Sequence, residues 1–360
     1  MRGYFLVAII LDHLNFFPNG FDWWSARGEL FVTTAEGFFF ISGIVLGIVR
    51  GAKLVNEPFK NVVILLLKRA VQLYLTLIVL VLLFTIVGWL FFMNTPGLKI
   101  GILQPIGNVW ALIWQTLTLQ YFYGWADYLR LYAIFLVASP LVMWLLRRGK
   151  WYIALALSCV TWLAFPINPE APDLTQELLQ PLSWQLLFFG GMIVGFHWKK
   201  IVSWWQSLRL NVRRLFTWTT LATASLTFAL NIFIVFWPQV LGPDALKLPE
   251  SLSAYELYIN YFDKEQLPIY RLLMFLAWFW SAFYLFHKFE GVVMRFIGWL
   301  LLPFGTNSLY VYTVHAVLIF FVHIWFQKGD VLFNFIAAST VLGLILLMIR
   351  YRILMNIIPR

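Results

Sequence analysis

The sequence predicts an all-α polytopic membrane protein: ten transmembrane helices plus one interfacial or re-entrant helix, with the N and C termini cytoplasmic. Three observations predict it. First, the 360 residues are 62% hydrophobic and only 12% charged, whereas soluble domains are about 45–50% apolar and about 25% charged. No soluble core would bury that much apolar surface. Second, the apolar residues fall in runs close to the ~20 residues that a helix needs to cross a bilayer. Third, the charges sort by side.

In chain order, the first run is 3–17. It lacks a basic segment followed by a small-residue cleavage site, and is read as a span rather than a leader. Runs at 30–49, 68–92, 128–146, 151–165, 183–198, 215–237, 269–287, 304–325 and 331–349 complete the ten. The stretch 106–124 is apolar but studded with polar and aromatic residues between Gly107 and Gly124. It is assigned as the interfacial or re-entrant helix. Charge supports that choice, because Lys and Arg favour cytoplasmic loops. With the N terminus inside and 106–124 not crossing, 19 of the 26 basic residues lie inside and 12 of the 16 acidic residues outside. A full span at 106–124 would move Arg147, Arg148 and Lys150 to the outer side. The net charge of +10 is therefore a topology signal, and a nucleic-acid partner is excluded. The whole chain, 1–360, reads as a single transmembrane domain without internal repeats. Two longer outer loops, 166–182 and 238–268, are rich in Pro, Asp and Glu and read as solvated. The single cysteine, Cys159, excludes an internal disulfide.

Ionisable residues within spans are costly and mark functional sites. His197 and His287 lie at cytoplasmic ends beside lysines and read as anchors. His323 reads as interfacial. Asp12, His13, Glu36 and His315 remain. Arg2 and His13 are eleven residues apart, which is about 20° from three full turns and about 16.5 Å along a helix. They share one face, with Arg2 at the cytoplasmic mouth and His13 in the outer half. Asp12 lies about 100° off that face. Glu36, about 9 Å into the second span, and His13, about 6 Å in from the same side, reach similar depths. A carboxylate beside a histidine fixes its tautomer and stabilises the imidazolium, as a general base requires. The plainer reading is a polar pair that ties two helices together. Lys68 and Arg69 head the third span and read as positive-inside anchors. With Arg2 they also suit an anionic co-substrate.

Several motifs carry a family resemblance along nearly the whole chain: Arg2 to His13 as R-x10-H, AEGFFFISGIVLGIVRG (35–51), KRAVQLY (68–74), LRLYAIFLVASPLVMWLLRRGK (129–150), PLSWQLLFFGGMIVG (181–195) and GTNSLYVYTVH (305–315). In this order they resemble the membrane-bound acyltransferase-3 superfamily, and within it the OpgC proteins. The resemblance implies an acyltransferase of the inner (cytoplasmic) membrane. It would move an acyl group from cytoplasmic acyl-CoA (succinyl-CoA or acetyl-CoA) to a hydroxyl of an extracytoplasmic glycan. In OpgC proteins the group is succinyl and the acceptor a periplasmic glucan. Carried over by position, His13 is the base, and Arg2, Lys68 and Arg69 hold the CoA moiety; Glu36, paired with His13 by depth, is the second catalytic candidate and by resemblance a cavity residue. Asp12, Trp184, Gln185, Asn307 and His315 line the substrate cavity, and no metal takes part. Direct transfer and an acyl-histidine relay both remain open. The competing class is a transporter or flippase for an anionic or lipid-linked solute, which would also place His and Glu in the membrane. Such proteins are often built from repeats and broken helices at matching positions, a symmetry not seen here.

Overall fold

The computed structural model describes residues 1–25, 30–91, 108–164, 173–236, 249, 252–356 and 358. These residues are helical throughout their regular segments. Seven helices among them are long and apolar enough to cross a membrane: Thr34–Ala52, Phe59–Leu90, Asp127–Arg147, Leu210–Val235, Ile269–Lys288, Ser308–Trp325 and Val331–Arg350. The chain divides into two units, Met1–Ala8, Phe21–Asn56 and Val142–Leu301 in one, and Ile9–Gly20, Glu57–Leu141 and Leu302–Arg360 in the other.

The helices, in order, are α1 (Arg2–Leu14), α2 (Asp22–Ser25), α3 (Thr34–Leu46, continued by a π-helical segment, Gly47–Ala52), α4 (Phe59–Phe91), α5 (Val109–Leu117), α6 (Asp127–Arg147), α7 (Trp151–Leu163) and α8 (Asp173–Phe196). They continue with α9 (Trp198–Ser207), α10 (Leu210–Asn231), α11 (Ala254–Tyr261), α12 (Ile269–Lys288), α13 (Glu290–Thr306), α14 (Ser308–Trp325) and α15 (Val331–Arg350).

In the first unit, α3 and α8 pack backbone against backbone. Lipid tails offer no hydrophobic drive between membrane helices, so small residues that let backbones touch become the packing device. A Cβ on Gly43 would fall 2.1 Å from the Phe188 carbonyl oxygen, one on Gly47 2.2 Å from that of Met192, and one on Gly195 2.1 Å from that of Ile44. Side-chain bonds fasten the other helices. Gln185 on α8 donates to Ser158 O on α7 at 2.8 Å, and Trp278 on α12 donates to Thr227 Oγ1 on α10 at 2.7 Å. The loop before α12 is tied down by Ser183 Oγ, which donates to Glu265 O at 2.6 Å, and by Trp162 Nε1, which donates to Leu267 O at 3.0 Å.

In the second unit, Phe84 on α4 stacks on Phe320 of α14 at 4.7 Å. Asn334 on α15 is wholly buried. It donates to Pro18 O at 3.0 Å and Gly329 O at 3.1 Å, and accepts from Gly329 N at 2.9 Å.

Several boundaries differ from the sequence reading. The expected span 304–325 is two helices, broken at Asn307, whose backbone is non-helical (φ −110, ψ 39). The preceding helix, α13, starts at Glu290 within what reads as a cytoplasmic loop. Helix α4 begins at Phe59, not at residue 68. Its 33 residues extend about 50 Å at 1.5 Å each, more than the ~30 Å hydrocarbon core, so Lys68 and Arg69 lie inside the helix rather than at its head. Helix α8 starts at Asp173, inside the expected loop 166–182, and α11 occupies part of 238–268. The rest of those loops, apart from residue 249 and residues 252–268, lies outside the described residues. Of the expected re-entrant segment 106–124, residues 106 and 107 are outside them. The described part is the short helix α5, with Trp110 and Trp114 exposed, ended by Leu119 in the left-handed region at φ 61.

Candidate active site

Helix α1 stops because Asn15 adopts a left-handed conformation, φ 53, which Asn tolerates better than most residues, and Pro18 follows. His13 therefore occupies the last turn of α1. It is half-buried, so part of its surface stays reachable. Its Nδ1 lies 3.0 Å from Nε2 of His315, with ring centroids 5.2 Å apart and planes at 29°. His315 is wholly buried.

Two tyrosines flank the pair. The Tyr312 ring meets His315 edge-on at 4.7 Å and His13 at 6.3 Å. The Tyr128 ring lies 6.1 Å from His13 and 5.7 Å from Tyr312. The Tyr312 hydroxyl donates to Asp127 Oδ1 at 3.4 Å, and the same oxygen accepts from Tyr128 N at 2.6 Å. One polar cluster thus gathers residues from α1, α6 and α14. His323, two turns beyond His315, is buried rather than interfacial. It stacks on Trp125 at 5.0 Å and 9° and meets Phe16 edge-on at 5.3 Å, so aromatic faces replace the interface expected for it.

Glu36 belongs to the first unit, and its carboxylate is engaged there. It is the third residue of α3 and forms a capping box, accepting from Thr33 N at 3.0 Å and from Thr33 Oγ1. Its Oε1 accepts from Arg271 Nε at 2.6 Å, with both side chains wholly buried. Arg271 also donates to Phe262 O and to Leu30 O at 3.4 Å. The depth argument placed Glu36 beside His13; the structure gives its oxygens to Arg271 and Thr33. Arg271, the third residue of the expected span 269–287, is not among the sequence candidates. The signal was an arginine inside the apolar run IYRLLMFLAWFW.

The other expected residues lie as follows. Arg2 is half-buried in the first unit, its guanidinium 5.8 Å from the Phe38 ring. Lys68 is exposed and Arg69 half-buried, with Arg69 Nη1 at 3.5 Å from Gln72 Oε1; both belong to the second unit. Asp12 is half-buried on α1. Trp184 is buried with its ring edge on Phe39 at 5.4 Å. The Gln185 amide donates to Ser158 O and, at 3.1 Å, to Leu182 O. The Asn307 amide donates to Pro303 O at 2.9 Å. The structure therefore brings His13 and His315 together, while Gln185 and Asn307 have their amides turned onto backbone. Tyr128, Tyr312, Asp127 and Arg130 are not among the sequence candidates. Arg130 is 1% exposed, with its guanidinium 3.7 Å over the Phe122 ring. A charge this deep at the start of a span was the signal for it.

Span-length apolar helices and a half-buried histidine backed by a buried one, flanked by tyrosine rings, define a multi-pass membrane protein with a histidine-centred polar site. The chain belongs to the OpgC protein family, whose family model matches residues 1–356. No curated protein and no solved structure matches it.

Proposed function

We propose that the protein is an integral-membrane O-acyltransferase. It moves an acyl group, succinyl in the reading the family favours, from cytoplasmic acyl-CoA to a hydroxyl of an extracytoplasmic glycan, on a ten-span chain with both termini cytoplasmic in the inner membrane. The observation that carries this reading is the half-buried His13 backed by a wholly buried His315, on a chain of the OpgC family.

A histidine with one ring nitrogen committed to an internal partner presents the other for proton transfer. The acceptor hydroxyl loses its proton to His13 Nε2 as its oxygen bonds to the thioester carbonyl carbon. The C–S bond then breaks, and the departing thiolate takes up the proton from His13, releasing CoA. General-base action of this kind contributes about 10²–10⁴-fold. The reference pKa of histidine, near 6.5, suits a group that accepts and returns a proton near neutral pH. An acyl-histidine relay would use the same nitrogen as nucleophile.

The anionic phosphates of CoA call for cations. Arg2, Lys68 and Arg69 supply them, with Lys68 exposed and Arg2 and Arg69 half-buried, so each retains a reachable surface. Asp12, Trp184, Gln185 and Asn307 stand as cavity residues in the same reading, and Glu36 caps α3.

The test is release of free CoA from acetyl-CoA and succinyl-CoA by the purified chain in detergent, with CoA binding measured in parallel. Slow release that disappears in His13→Ala while CoA still binds, together with weaker CoA binding in Arg2→Ala and Lys68→Ala, is the expected result. A folded protein that binds no acyl-CoA would end the acyltransferase reading and favour a transporter or flippase.

A further inference from the structure

We propose that His315 is the positioning residue of His13: it accepts the Nδ1 proton of His13 and so holds that ring in the tautomer whose Nε2 acts as base. The inference rests on the acyl-transfer reading and assigns to a second histidine the part a carboxylate usually plays. His315 is wholly buried, so it reaches a substrate only through the ring in front of it.

The geometry is that of a ring-to-ring hydrogen bond. The centroid separation of 5.2 Å exceeds the N···N distance of 3.0 Å by about two ring radii. The two nitrogens therefore point at one another, and the rings do not lie face on face. One of the two must donate and the other accept, because a neutral imidazole carries a single N–H. If His13 donates from Nδ1, its Nε2 holds a lone pair and acts as the base. If His315 donates instead, His13 carries its own proton on Nε2 and cannot accept another there. The acceptor state of His315 thus decides whether His13 is competent.

Chemistry favours a neutral partner at this depth. A carboxylate within a span must be desolvated, at a cost that a paired cation has to offset; Glu36 meets that condition through Arg271. A neutral imidazole avoids it. When His13 takes the acceptor proton and becomes imidazolium, its bond to His315 becomes charge-assisted and roughly twice as strong. The contact is then stronger in the transition state than in the ground state, as catalysis requires. The ring of His315 is itself held edge-on by Tyr312, whose hydroxyl is anchored on Asp127.

The experiment compares His315→Gln with His315→Phe in the full chain in detergent, reading CoA release from succinyl-CoA and acetyl-CoA, CoA binding and thermal stability. The glutamine amide oxygen accepts from His13 Nδ1; phenylalanine fills the space but accepts nothing. A positioning role predicts that Gln keeps the rate within about 10-fold and Phe loses about 10²-fold or more, with CoA binding unchanged in both. It also predicts that adding His13→Ala to His315→Phe costs little further, because residues acting as a unit are not additive. A purely structural role predicts the opposite order, since an apolar ring suits a sealed core better than an amide. Should Phe not fold, His315→Leu gives the apolar arm. Phe or Leu matching Gln, or Gln failing along with them, overturns the inference while the wild-type activity leaves acyl transfer standing. No release by wild type removes both.

Discussion

The contact between α3 and α8 supports a prediction that neighbouring glycines answer in opposite ways. A Cβ on Gly191 would sit 2.3 Å from the carbonyl oxygen of Phe40, whereas one on Gly190 would meet nothing within 4 Å. Comfortable C···O contacts lie at about 3.3–3.6 Å, so alanine at 191 must drive the two helices apart by roughly 1 Å. That opens the seam formed by Gly43, Gly47 and Gly195. Overpacking of this kind costs about 1–3 kcal/mol. Both substitutions also gain helix propensity, about 1 kcal/mol for Gly to Ala. That gain is common to the pair, so the difference between Gly191→Ala and Gly190→Ala isolates the clash. Gly190→Ala is expected to equal or exceed wild-type stability, and Gly191→Ala to fall below Gly190→Ala by about 1–3 kcal/mol. Reversible unfolding of the purified protein in mixed micelles, followed by tryptophan fluorescence, reads both. Equal stability of the two variants would refute the reasoning, because it would mean that the backbones do not touch along this seam.

Two further outcomes follow from buried polar groups. Arg271→Ala leaves Glu36 charged and sealed, a loss of about 3–5 kcal/mol; the double replacement Arg271→Met with Glu36→Gln is expected to lose less than Arg271→Ala alone, and a double-mutant cycle measures the coupling. Asn334→Ala removes the bonds to Pro18 and Gly329 and is expected to destabilise by about 1–3 kcal/mol, seen as faster hydrogen exchange at the Gly329 amide.

The histidine site was partly legible before the structure, and the reason is energetic. An ionisable group inside an apolar run is expensive enough to need an explanation, so His13, Glu36 and His315 stood out individually. Their partners did not. Depth along a helix can be counted from residue number, but the direction a side chain faces and the helix it meets cannot. Glu36 was placed beside His13 on depth alone, and it meets Arg271. His323 was placed at an interface, and Trp125 covers it. Asp127 and Tyr128 sit where a loop becomes a span, and there a polar residue carries no penalty that would single it out.

The sequence by itself determined the helical class, most of the apolar segments and the family, because a bilayer demands long apolar helices and the motifs occur in a recognisable order. The tertiary structure decided which polar groups share a hydrogen bond: His13 with His315, Glu36 with Arg271, Asn334 with Pro18. It also decided that Gly43, Gly47, Gly191 and Gly195 form one seam. These pairings join residues up to 316 positions apart. They depend on which helix faces meet, and that is settled only when the packing of many side chains is satisfied together.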